Sequence, residues 1–175
     1  VSGDTAESGT ETTANFGVRL RSKPTADVTI TVESSDTGEG TVSASTLVFT
    51  ATNWGAFQTV TVTGVADNLS DGDQSYAIRL GADNSTSDER YKYLDPPDVT
   101  LRNLDTESGG FYVSAVSGDT AESGTETTAN FGVRLRSKPT ANVTITVESS
   151  DTGEGTVSTP TLVFTASNWG AFQPV

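Results

Sequence analysis

A stretch of sixty residues occurs twice in this chain. VSGDTAESGTETTANFGVRLRSKPTA opens at Val1 and opens again at Val116, 115 residues on. Over the 60 overlapping residues five differ: Asp27/Asn142, Ala44/Thr159, Ser45/Pro160, Thr52/Ser167 and Thr59/Pro174. An offset of this size is that of an independent domain, whereas solenoid repeats run to roughly 20–45 residues. The chain therefore reads as beads on a string, drawn from a longer array. Residues 1–108 form a first repeat that begins inside its first strand, and 109–175 form the N-terminal half of a second. The break falls near Gly109-Gly110, after the acidic stretch Asp105-Thr106-Glu107. The second copy runs to Val175, the match of Val60, and has no counterparts of residues 61–115. Such a half leaves strand edges open. Either the array is cut there, or a neighbouring subunit completes the half by strand addition, as in a self-assembling filament.

The hydrophobic period is two nearly everywhere. Phe16, Val18 and Leu20 alternate with Gly17, Arg19 and Arg21, and Val28, Ile30 and Val32 alternate with Thr29, Thr31 and Glu33. The same holds for Val60 and Val62, for Tyr76, Ile78 and Leu80, and for Val99 and Leu101; Leu47 and Phe49 make a shorter run. Thr and Val dominate, as suits a half-buried pleated surface. The clusters SKPTA, SSDTGEG, DNLSDGD and DNSTSDE punctuate the runs as turns. About seven short strands per repeat predict an all-β, antiparallel immunoglobulin-like sandwich in tandem repeats. Trp54 and its copy Trp169 are expected to cap the core or pack at a corner.

Composition removes most chemistry. The chain has no Cys, His or Met, so disulfides, thiol nucleophiles, soft-metal sites and imidazole acid–base catalysis are excluded. No nucleophile with a base partner can be assembled, and Glu33 with Glu39 reads as two solvated charges rather than a catalytic pair. The chain is expected not to be an enzyme. A net charge of −13, from 23 acids against 10 bases, disfavours nucleic acid and anionic membrane. No apolar run reaches membrane-spanning length. A metal here would be a hard cation held by oxygen.

Carboxylates gather where strands end: Glu7 in AESG, Asp36 in SSDTGEG, Asp67, Asp71 and Asp73 in DNLSDGD, and Asp105 and Glu107 in NLDTE. Alternate loops of a sandwich meet at one end, so these segments can share a tip. Like charges packed together favour a neutralising cation, and Ca2+ accepts six to eight oxygens in irregular geometry. The set does not make an EF-hand: counted from Asp67, Leu69 and Ile78 occupy two ligand positions. In the second copy Glu122 and Asp151 match Glu7 and Asp36. The loop 83–98, with YKYLDPPD, is the candidate surface for a protein or carbohydrate contact. Asn68, Asn84 and Asn142 head glycosylation sequons.

AESGT, VTITVESSDTGEGTVS, LVFTATNW with QTVTVTGVADN, DGDQSYAIRL and the closing DVTLRNLDTE come in an order and spacing that resembles the Calx-beta domains, above all the bacterial repeats of that type. The resemblance covers residues 1–107 and 111–175. It implies an immunoglobulin-like sandwich and, in the calcium-binding members, Ca2+ at one tip. By that resemblance Glu7 matches the early-strand glutamate, Asp36 the loop aspartate, and Asp67 the first of an acidic pair. Asp71 or Asp73 matches the acids just downstream, and Asp105 the terminal acidic run. Two departures, Asn68 in the acidic pair and Thr106 in the terminal run, each remove a charge. The expectation is a structural module of an extracellular or cell-surface protein, an adhesin stalk or fibre. Its partners would be neighbouring repeats, and Ca2+ would stiffen the junctions between them.

Overall fold

The computed structural model describes residues 3–9, 12–83, 88–125 and 127–175. The described residues form strands, turns and bends, with no helix among them. The chain divides into two compact units, one of 1–67 with 71–106 and the other of 68–70 with 107–175.

In the first unit the strands are β1 (Thr5–Ala6), β2 (Thr13–Val18), β3 (Val28–Ser34), β4 (Gly40–Val42), β5 (Thr46–Phe49), β6 (Gln58–Gly64), β7 (Gln74–Ala82) and β8 (Val99–Leu104). They make two sheets, a five-stranded one in the order β1-β8-β7-β3-β5 and a three-stranded one in the order β2-β6-β4. All pairings are antiparallel except β1 with β8. The alternation in sequence becomes alternation in burial, most cleanly in β3, where Val28, Ile30 and Val32 are buried. Ala14, Phe16, Val60 and Val62 from one sheet meet Val28, Ile30, Leu47, Phe49, Ile78 and Leu101 from the other in one core. This is the layering of an immunoglobulin-like β-sandwich. Phe49, Ile78 and Val28 are fully shut from solvent; by order of magnitude each contributes roughly 1.5–3 kcal/mol.

In the second unit the strands are β9 (Phe111–Val113), β10 (Gly132–Leu135), β11 (Val143–Thr146), β12 (Thr161–Phe164) and β13 (Gln173–Pro174). β10 lies between β13 and β9, and β11 pairs with β12. The register repeats that of the first unit. Val143 faces Phe164 as Val28 faces Phe49, and Gly132 faces Pro174 as Gly17 faces Thr59. The core is smaller, built on Val133, Leu135, Leu162, Phe164 and Val175.

Two turns close identically in both copies, which shows that they are encoded locally. The Asp36 carboxylate accepts the Gly38 N–H at 2.9 Å, and Asp151 accepts that of Gly153 at 2.9 Å. Further on, the Asn53 side chain accepts the Thr50 N–H at 2.6 Å and donates to the Val48 carbonyl at 3.1 Å; Asn168 does the same with Thr165 and Val163. Each corner carries its tryptophan, whose carbonyl takes the Leu20 or Leu135 N–H at 2.9 Å. The two proline differences fall where no donor is needed. The carbonyl of Ser45, or of Pro160, accepts from Val32 or Val147. The bonded pair beside Pro174 is Val175 with Phe131.

Candidate functional site

The acidic residues named from sequence separate into three groups. The first is Glu7 and Asp105. One carboxylate oxygen of Glu7 lies within 4.8 Å of one of Asp105. Glu7 is buried and Asp105 half-buried. They meet because β1 runs parallel to the end of β8: the Glu7 N–H bonds the Leu104 carbonyl at 3.1 Å, and Ser8 and Thr106 share a hydroxyl bond at 2.7 Å. Glu107 follows Asp105 by two residues along the chain and belongs to the second unit.

The second group surrounds Glu39, a residue the sequence placed among solvated turn charges. Glu39 is half-buried. Burial pushes its carboxyl above the usual range, the Asn103 amide pulls it back, and the charges of Asp36, Asp71 and Asp67 push it up again. Glu39 accepts from Asn103 Nδ2 at 3.3 Å; the same amide donates to the Val65 carbonyl at 2.9 Å and accepts from Thr5 Oγ1 at 3.0 Å. Thr5 shares a further bond of 2.9 Å with the Tyr76 hydroxyl. A buried polar network therefore runs beneath the acidic end of the first unit. Two glycines make room for it. A Cβ on Gly40 would collide with the Tyr76 ring, and one on Gly64 with Asn103 and the Ala6 carbonyl. The signal in the sequence was slight: a glutamate between two glycines in TGEG.

The third group is committed elsewhere. Asp73 bonds the Arg102 guanidinium at 3.1 Å and the Asp105 N–H at 3.3 Å. Arg102 also grips Asp4 through its own N–H at 3.0 Å and its guanidinium at 2.9 Å, which holds the Asp4 carboxyl below its usual range. Asp36 closes its own turn through Oδ1. In the second copy Asp151 does the same, and Glu122 is exposed. The DNLSDGD loop turns through left-handed backbone at Asn68 and Gly72, with φ of 65° and 81°. The Gly72 N–H is capped by the Asp105 carboxylate at 2.7 Å. Asn68–Ser70 lie with the second unit, where the Asn68 carbonyl accepts the Lys138 N–H at 2.8 Å.

Within the loop 83–98, residues 84–87, and with them the Asn84 sequon, lie outside the described residues. The rest is anchored. Asp88, which sequence reasoning did not single out, is 1% exposed. It accepts the Thr25 N–H, the Thr25 hydroxyl at 2.8 Å and the Arg90 N–H at 2.9 Å, which hold its carboxyl down to about 2. The Tyr91 hydroxyl donates to the Ser22 carbonyl at 2.8 Å. Tyr93 and Leu94 stay exposed.

No protein-family model matches the chain, and no match is found among curated proteins. Among solved structures the chain is similar to SSP-19, an MSP-domain protein-like family member of Caenorhabditis elegans. The identity is 12% and the TM-score 0.37, over 60% of this chain and 94% of that one. A likeness at that level carries no argument about function.

Proposed function

We propose that this chain is a non-catalytic structural repeat module of an extracellular or cell-surface protein, a Calx-beta-type spacer with Ca2+ at the acidic end of its first sandwich. The observation that carries the reading is the meeting of Glu7 and Asp105, with carboxylate oxygens within 4.8 Å of one another. Two oxygens bound to one Ca2+ at about 2.3–2.6 Å lie at most about 5 Å apart, so the spacing suits a shared ion. The charges around Glu39 strengthen the case, because a dication relieves their mutual repulsion. Asp67 and Asp71 belong to that surrounding field, whereas Asp36 and Asp73 act as turn and ion-pair residues. The ion would stiffen the end of the sandwich from which the chain runs on past Thr106. Near-identity of the two copies supports the spacer role, since a spacer needs the same fold many times over.

The test is thermal unfolding of the full chain in Ca2+ and in excess chelator, beside a Glu7→Gln/Asp105→Asn variant. A ligand of the folded state at 100 times its Kd stabilises it by about 2.7 kcal/mol. Ca2+ is expected to raise the midpoint of the wild type and not of the variant, and Mg2+ to do less than Ca2+. An unchanged wild-type midpoint in chelator overturns the calcium reading and leaves the carboxylates as a solvated surface.

A further inference from the structure

From Gly40 to Ala66 the chain carries no charged residue, although charged residues make up 19% of the whole. The second copy repeats this uncharged run from Gly155 to Val175. β5 lies inside the first run and β12 inside the second. Among the described residues β5 is the outermost strand of its sheet, bonded to β3 alone, and β12 is bonded to β11 alone. Both strands read TLVF. An uncharged, apolar edge strand of high β-propensity is a template for pairing with other chains. Charged side chains are the common protection, and β5 and the connections on either side of it have none.

The edge is closed by side-chain amides instead. The Thr29 carbonyl serves the Asp83 N–H, on the side of β3 away from β5. Val48 stands opposite Thr29, so by alternation its own N–H and C=O point outward, away from β3. That outward carbonyl accepts the Gln58 amide at 2.8 Å and the Asn53 amide at 3.1 Å. A carbonyl oxygen has two lone pairs, so both are taken. Two residues on, the Thr50 N–H goes to the Asn53 side-chain oxygen and the Thr50 carbonyl to the Trp54 N–H. The second copy repeats the closure: Val163 accepts from Gln173 at 2.8 Å and from Asn168 at 3.2 Å. Asn53 closes a turn of its own, whereas Gln58 begins β6, in the other sheet, and reaches across to β5.

We propose that Gln58, and Gln173 in the second copy, is an edge guard. Its amide occupies the backbone acceptor through which β5 would pair, antiparallel and edge to edge, with β5 of a second copy of this chain. A strand arriving at this edge must donate an N–H to the Val48 carbonyl, and it finds both lone pairs occupied. Removing Gln58 frees one of them, and one is enough for a ladder bond. Val48 and Val163, 45% and 41% exposed, then lie along the seam of the new pair. The guard answers a need that repetition creates, because each copy presents the same TLVF edge. The inference stands apart from the calcium reading, since none of its residues is among the acids.

The experiment is sedimentation velocity of the full chain over rising concentration in chelator, so that the calcium reading is not tested at the same time. Gln58→Ala/Gln173→Ala is run beside the wild type; alanine removes the amide and adds no apolar bulk. The variant is expected to self-associate about tenfold more tightly than the wild type, which is about 1.4 kcal/mol, with an unchanged circular dichroism spectrum. Amide exchange over residues 46–50 should slow in the associated state. Gln58→Glu/Gln173→Glu loses the same donor but sets a charge at the edge, and should sediment as the wild type does. An alanine variant that sediments like the wild type overturns the proposal. So does equal association of the alanine and glutamate variants, or association that leaves exchange over 46–50 unchanged.

Discussion

Replacing Asn103 with Leu tests whether the polar network under the acidic end holds the first unit together. Asn103 is 1% exposed and makes three side-chain bonds, from Thr5 and to Val65 and Glu39. Leucine keeps the volume and loses all three. At about 1 kcal/mol for each bond removed, the cost is about 3 kcal/mol. For a unit of this size that lowers the unfolding midpoint by roughly 12–24 °C. Glu39 adds a pH signature. Its folded pKa lies above the ordinary 4.5, so the folded state binds more protons than the unfolded one in the window just above that value. Stability therefore falls as pH rises through that window. The Asn103 amide is the contact that limits the shift, so removing it widens the window. The gap between variant and wild type should grow from about pH 4 to about pH 7. Calorimetry of the full chain at both pH values reads the difference. A Thr5→Val partner closes a double-mutant cycle, with an expected coupling of at least about 0.5 kcal/mol. A loss below about 1 kcal/mol, or strict additivity with Thr5→Val, refutes the network as a structural element.

The twin glycines Gly40 and Gly155 make a matched pair. A Cβ at Gly40 meets the Tyr76 ring, whereas one at Gly155 meets nothing within 4 Å. Gly40→Ala should cost about 1–3 kcal/mol and Gly155→Ala close to nothing by denaturant titration. Asp88 sets an acid limit. Its carboxyl is held down to about 2 against an ordinary 3.8, so its contribution is complete above that ordinary value and is lost as pH falls towards 2. Asp88→Asn should lower the midpoint at neutral pH, and the gap from wild type should close by about pH 2 in circular dichroism melts.

The strands were legible because their signal is periodic and local. Val28, Ile30 and Val32 announce their buried face in the sequence itself, and they meet the equally alternating Leu47 and Phe49 of β5. β1 was not legible. It is two residues long, Thr5–Ala6, and exists because β8 lies alongside in parallel. The acidic segments were legible, but not the part that each carboxylate takes. Whether an Asp closes its own turn, as Asp36 does, or joins a distant guanidinium, as Asp73 does, depends on partners two residues away in one case and 29 in the other. Glu39 escaped for the same reason: its hydrogen-bond partner, Asn103, lies 64 residues on. In the loop 83–98 the exposed-looking aromatics drew attention, yet Asp88 binds the described part of that loop to its own sandwich, and one of those aromatics, Tyr91, helps it do so.

The identical closures at Asp36 and Asp151, and at Asn53 and Asn168, bear on how an array of such repeats is synthesised. These bonds join residues two to five apart, so they can form while the chain is still leaving the ribosome. Neighbouring copies of nearly equal sequence are otherwise prone to exchange strands, because a wrong partner fits as well as the right one. A segment already folded back on itself presents its own partner at far higher effective concentration than its twin can. The small local turns thereby act as a proofreading device for nascent identical neighbours.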